Sequence, residues 1–161
     1  MLISKEMTNA INTQIGYEFE ASNQYLAIAC FFERETLPKL AELFTKQANE
    51  EREHGMKFVK YVNEAGGKVV FPQIPAPKAD FSSVEEALKL ALQWEFDTTD
   101  RINNLMSLAI NLKDYLAQDM LRWFVTEQLE EVSSMDTLLR LAQKVGERNL
   151  IMLEAYIAHK E

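Results

Sequence analysis

Cysteine, glycine and proline are all scarce in this chain of 161 residues. The single cysteine, Cys30, rules out an internal disulfide and any paired-cysteine metal knuckle. Its neighbours Ala27, Ile28, Ala29 and Phe31 predict a buried, inert thiol. The five glycines and four prolines cluster rather than scatter, which leaves long uninterrupted stretches for helices. No apolar run approaches the length needed to cross a bilayer. The opening Met-Leu-Ile-Ser-Lys-Glu-Met turns polar by its fourth residue, so neither a signal segment nor a membrane span is expected, and the location expected is cytoplasmic. Positive charge is also short: 17 Lys and Arg against 25 Asp and Glu give a net charge of −8. That balance disfavours nucleic acid and anionic membrane surfaces as partners. With 47% hydrophobic and 26% charged residues, the composition is that of one globular domain over residues 1–161, long enough to bury a core.

What is abundant is helical periodicity. A first helix is predicted from Ser4, a candidate N-cap, to about Glu33, with the stripe Ile11, Ile15, Glu18, Ser22, Tyr25, Ala29, Phe32. Glu35 to Leu37 form a short connection, and Pro38 suits the first turn of a second helix that runs to Glu64 and stops at Gly66-Gly67. The second stripe reads Leu40, Phe44, Gln47, Glu51, His54, Phe58, Tyr61. From Lys68 to Asp80 three prolines, Pro72, Pro75 and Pro77, impose extended backbone. Some fifteen residues of it reach ~45 Å, against about 42 Å for a helix of this size. The connection is therefore long enough to run the length of a bundle and set helices two and three parallel. Ser82 or Ser83 with Glu85 and Glu86 opens the third helix, striped Val84, Leu88, Ala91, Glu95, Thr98, Ile102, Leu105, Ala109. After a turn at Asn111–Asp114 the fourth helix follows to about Lys144, striped Ala117, Leu121, Phe124, Gln128, Glu131, Met135, Leu138, Ala142. Gly146 allows a stop, and a short segment from Leu150 to Lys160 must dock on something to hold its helix. The expected fold is all-α, a four-helix bundle over about 4–145 with a short C-terminal helix at about 147–160.

Each of the four stripes carries a carboxylate near mid-helix: Glu18, Glu51, Glu95 and Glu131. Mid-height positions meet at one level whichever way the helices point. Taken alone, Glu51-x-x-His54 reads far more readily as a solvated face or local hydrogen bond than as a pair of metal ligands. Four coincident acids are a different matter, because without cations they repel severely in a low-dielectric core. One reading is a buried polar layer that fixes helix order. The other is a metal site, in which two divalent cations balance four carboxylates, and hard oxygen donors with one imidazole suit iron or manganese.

Glu18, Tyr25, Glu51-x-x-His54, Glu95 and Glu127-Gln128-Leu129-Glu130-Glu131 together resemble the ferroxidase centre of the non-haem bacterial ferritins, members of the ferritin-like di-iron superfamily. The resemblance covers nearly the whole chain and implies the ferritin-like bundle with one long crossover, a topology that general accounts of helix bundles already describe. It implies one iron held by Glu18, Glu51 and His54, and a second by bridging Glu51, Glu95 and Glu131. Glu50, Glu127, Glu130 and Glu131 match a third, transit iron site. Gln128 is placed near the di-iron oxygen ligands, and Tyr25, with Trp123 close by, supplies an electron. The activity implied is oxidation of Fe(II) by O2 or H2O2 and storage of ferric mineral inside a homo-oligomeric shell of about 24 subunits. A ferredoxin or reductase is the partner class implied for iron release. Two departures stand against the haem-carrying bacterioferritins: Glu130 replaces the second histidine of the fourth helix, and Arg52 stands where a haem-ligating methionine is expected. No haem is expected. The rival readings are a non-storing di-iron or di-manganese oxidase, and a structural subunit that binds metal passively. Asp114 falls in the turn where ferritins line three-fold channels, a loose match. The apolar face Leu150, Leu153, Ile157 is expected, by the same resemblance, to meet neighbouring subunits.

Overall fold

The structure, a computed structural model, describes residues 1–161 and contains helices and connections without strands. Helix α1 spans Lys5–Arg34, α2 Pro38–Glu64, α3 Val84–Asn111, α4 Tyr115–Val145 and α5 Leu150–Lys160, the last preceded by a 3-10 turn at Glu147–Asn149. Predicted and observed boundaries agree to within a residue or two because the capping chemistry is local. The Ser4 hydroxyl accepts from the Met7 amide, Ser83 from that of Glu86, and the Asp114 carboxylate from that of Ala117. Pro38 occupies the first turn of α2, and Gly66 takes φ +83° just beyond its C-cap. Asp114 thus acts as the cap of α4.

The short connection after α1 folds α2 back along it, and the Asn111–Asp114 turn does the same for α4 on α3. Two apolar clusters result. One gathers Ile28, Phe32, Leu40, Phe44, Leu88 and Leu138 at one end of the bundle; the other gathers Ile11, Ile15, Phe58, Ile102, Leu121 and Phe124 at the opposite end. The first joins the N-terminal halves of α2 and α3, so these two helices are parallel, as the long connection requires. Phe58 and Phe124 stack with centroids 4.1 Å apart. Side chains this fully buried stabilise by roughly 1.5–3 kcal/mol each.

The crossover lies along α1, and two buried amides clamp it. Asn12 donates to the Lys68 carbonyl and accepts from the Val70 amide; Gln24 donates to the Lys78 carbonyl and accepts from the Lys78 amide. Between these clamps Pro72 presses on Gly16, where a Cβ would stand only 2.2 Å from the proline ring. A side chain at position 16 would push the crossover off the helix.

Two expectations need correction. Cys30 is exposed, since it falls one step off the stripe that buries Ala29 and lies on the outer face of α1. The apolar face of α5 turns inward: Leu153 and Ile157 join the core cluster of their own bundle, with Leu150 packed against it. Glu154, buried on the same side, accepts from the Lys39 amide at 3.0 Å and the Leu40 amide at 2.9 Å. It caps α2, whose own N-cap residue, Leu37, has no side chain able to do so. What α5 leaves exposed is its other face, Ile151, Met152 and Tyr156.

Candidate metal centre

Between the two apolar clusters the stripes place Glu18, Glu51, His54, Glu95, Gln128 and Glu131, all buried. The four carboxylates are 1%, 2%, 1% and 6% exposed in chain order, and no lysine or arginine is buried anywhere in the chain. Donor atoms of Glu18, Glu51 and His54 lie within 4.8 Å of one another, as do those of Glu51, Glu95 and Glu131. Glu51 belongs to both groups. The His54 Nδ1 stands 3.3 Å from a Glu51 oxygen.

Neutral donors orient these acids. Gln14 donates to Glu18 at 2.9 Å, and Gln47 donates to Glu51 at 3.3 Å and reaches across to Glu131. Gln128 donates to the Glu95 carboxylate at 3.1 Å. Tyr25, wholly buried, donates a short hydrogen bond to Glu95. Periodicity alone does not single out Gln14 and gives Gln47 only a place on the stripe, yet each sits four residues before a stripe glutamate, the spacing at which helical side chains meet. One oxygen of Glu18, Oε2, is buried with no partner.

Burial drives the electrostatics. Desolvation, then the neighbouring Glu51, holds the Glu18 carboxyl well above the usual carboxylate range. Desolvation and Glu95 do the same to Glu51, and raise Glu131 to about 8. Glu95 is also raised by burial, against the hydrogen bonds from Tyr25 and Gln128. Burial, then Glu95, raises the Tyr25 phenol as well. Isolated acids of this kind hold protons, and a divalent cation would displace them.

The seam between α2 and α4 opens into a groove of about 470 Å³. Glu50, Glu127, Glu130 and Glu131 line one end of it; Leu43, Leu138, Leu141 and Tyr156 line the other. Glu127 stands 3.9 Å from His54 Nε2, and its carboxylate can join His54 and Glu131 around one ion. Glu50, half-buried, and Glu130, exposed, face the groove without entering a three-ligand cluster. Trp123 packs edge-on against the His54 ring, centroids 5.4 Å apart.

A family model described as a ferritin-like domain matches residues 8–145. The chain belongs to the ferritin family. The bacterial non-heme ferritin of Staphylococcus epidermidis is 39% identical over 146 residues, covering 91% of this chain and 88% of that protein. Its Staphylococcus aureus counterpart is 37% identical over the same coverage. Among solved structures, the open-pore ferritin of the hyperthermophilic archaeon Archaeoglobus fulgidus superposes with a TM-score of 0.94 at 30% identity, covering 97% of this chain and 96% of that one. This ferritin has no helix long and apolar enough to cross a membrane.

Proposed function

We propose that this ferritin is an iron-storage subunit that oxidises Fe(II) at the buried carboxylate layer and passes Fe(III) on for mineral growth within an oligomeric shell. The observation that carries the reading is the layer itself: four buried acids and a histidine, no buried cation, and an unpartnered oxygen on Glu18. A structural polar layer would satisfy its own hydrogen bonds. Iron is the substrate here. Glu18, Glu51 and His54 take one Fe(II), and Glu51, Glu95 and Glu131 take the second, with Glu51 shared. Anionic oxygen donors favour the higher charge of Fe(III) and so lower the cost of giving up electrons. Two Fe(II) supply two electrons to O2, which with two protons yields H2O2, or to H2O2, which with two protons yields two waters. The acidic end of the groove, Glu50, Glu127 and Glu130, offers iron a path beside Glu131.

The apolar end of that groove favours a second reading, since a non-storing di-iron or di-manganese oxidase needs an apolar pocket beside its metals. Size-exclusion of the protein after excess Fe(II) in air separates the two. Iron co-eluting far above three per subunit with a particle of about 24 subunits supports storage. Iron stopping at two or three per subunit, or a monomeric particle, would refute it.

A further inference from the structure

The aromatic side chains Tyr17, Tyr25, Trp94 and Trp123 lie on or next to the stripes that carry the carboxylate layer. Tyr25 donates to Glu95. Trp123 packs edge-on against His54. Tyr17, next in sequence to Glu18, stacks on Trp94, next in sequence to Glu95, with centroids 5.3 Å apart. Trp123, exposed, and Tyr17, buried, each carry a cation on a ring face. The Lys57 ammonium stands 3.9 Å from the Trp123 ring centroid, and the Arg101 guanidinium 4.0 Å from that of Tyr17. Nothing cationic covers Tyr25, which packs edge-on against Phe44.

The chemistry of the layer gives this pattern a consequence. Reducing O2 to two waters takes four electrons and four protons, and two Fe(II) supply only two electrons. When reduction runs past H2O2 to water, the two electrons still needed come one from an oxidisable ring within reach and one from a third Fe(II). Tyr25 can release an electron to the centre and its hydroxyl proton to the Glu95 carboxylate, so no net charge appears at the ring. Trp123 would give up its electron as a radical cation directly beneath an ammonium group, and a fixed cation opposes a second positive charge. Tyr17 meets the same opposition from Arg101, and its hydroxyl is directed at the Trp94 carbonyl, 3.3 Å away, which is a poor proton acceptor.

We propose that Lys57 and Arg101 are electrostatic guards, positioning charges that protect Trp123 and Tyr17 from one-electron oxidation. The proposal rests on the ferroxidase reading for its source of oxidising equivalents, with O2 as the oxidant, but the guard itself can be tested without iron.

The test compares wild type with Lys57→Gln, Lys57→Arg, Arg101→Gln and Arg101→Lys, none of which alters a proposed iron ligand. Each protein is taken through equal turnovers of Fe(II) in air, and peptide mass spectrometry measures hydroxytryptophan and kynurenine at Trp123 and hydroxylation at Tyr17. Freeze-quenched electron paramagnetic resonance identifies the radical. In parallel, metal-free protein is exposed to a photogenerated ruthenium(III) one-electron oxidant. Lys57→Gln should raise Trp123 oxidation about two- to fivefold in both arms, the ratio a solvent-exposed cation–π contact supports. Arg101→Gln should do the same at Tyr17, while Lys57→Arg and Arg101→Lys stay near wild type. The tyrosyl signal should vanish in Tyr25→Phe. Equal oxidation of Trp123 in wild type and Lys57→Gln under the ruthenium oxidant would overturn the proposal. The expected ratio there, with no iron oxidised in air by any of the proteins, would sustain the guard and refute the ferroxidase reading instead.

Discussion

Glu154 and Glu18 are both buried glutamates, 8% and 1% exposed, at two levels of the same bundle. At the end of the bundle both oxygens of Glu154 are taken up by backbone amides of α2. At the waist one oxygen of Glu18 accepts from Gln14 and the other has no partner. Burial of an acid therefore carries no functional meaning by itself; the satisfaction of its lone pairs does. Glu154 completes a fold, whereas Glu18 keeps an oxygen that no protein group engages, as the proposed donor set requires. The comparison divides the molecule into a part whose loss should cost stability and a part whose loss should cost metal.

The largest effect should come from the stability side. Deleting residues 147–161 removes Leu153 and Ile157 from the core and uncaps α2, and it also removes Glu147, which accepts from the Glu85 amide at 3.0 Å at the start of α3. Apolar burial alone is worth roughly 1.5–3 kcal/mol per side chain, against a total of ~5–15 kcal/mol for a domain. The truncated chain should melt far below the full one in circular dichroism. Glu154→Ala alone should cost about 1–3 kcal/mol, because two amides, one of them buried and the other partly so, lose their acceptor. A truncated bundle that melts with the parent would place α5 outside the subunit fold after all.

Glu51→Ala should behave in the opposite way. It removes the carboxylate common to both donor groups and relieves repulsion among buried acids. Metal-free protein should melt at or above the wild-type temperature, while the stoichiometry of Co(II) or Fe(II) bound at the layer collapses. If the metal-free variant melted well below wild type, Glu51 would belong with Glu154 as a structural acid.

Most of the site could be read in the sequence because helical periodicity is a strong constraint. Once Ile15 and Tyr25 are on the buried stripe of α1, Glu18 has nowhere else to be, and the same holds for Glu95 between Ala91 and Thr98. Supporting contacts were less visible. Asn12, Gln24 and Glu154 each bond to backbone that is distant in sequence, and no local pattern specifies such a partner. Cys30 shows the limit of composition, since apolar neighbours say little about which way one side chain points. The spacing of Leu150, Leu153 and Ile157 predicts one apolar face where the helix has two: Leu153 and Ile157 turn inward, Ile151 and Met152 outward. Short helices give too few turns for the period to decide between them.

The pH dependence of metal-free stability sharpens the contrast further. Burial and Glu95 raise Glu131 to about 8, and Glu18, Glu51 and Glu95 are raised too. A carboxyl raised on folding contributes stability that is full below its ordinary value and is lost as the pH climbs through the raised one. Melting temperature should therefore fall between about pH 5 and pH 8.5. Glu131→Gln should flatten the fall, and redox-inert Zn(II) should abolish it by taking the place of the protons. A melting temperature that rises over this interval without metal would contradict a protonated layer.

The smallest effect is expected at Glu130. It faces the groove, exposed, and enters no three-ligand cluster, while Glu127, a turn earlier, reaches His54. Replacing an exposed acid that makes no internal contact usually changes stability by no more than about 0.5 kcal/mol. The first two Fe(II) per subunit should therefore be oxidised at the wild-type rate in Glu130→Ala, seen as the same initial stopped-flow absorbance rise. What should change is the phase after it, because iron leaving the layer by the proposed path loses one of its acids: the second addition of Fe(II) should be oxidised more slowly than in wild type. Glu127→Ala should disturb both phases, since its carboxylate stands 3.9 Å from a proposed ligand of the first iron. A Glu130→Ala variant whose first phase falls as far as that of Glu127→Ala would mean that the groove and the layer act as one site, and the division between them would have to be withdrawn.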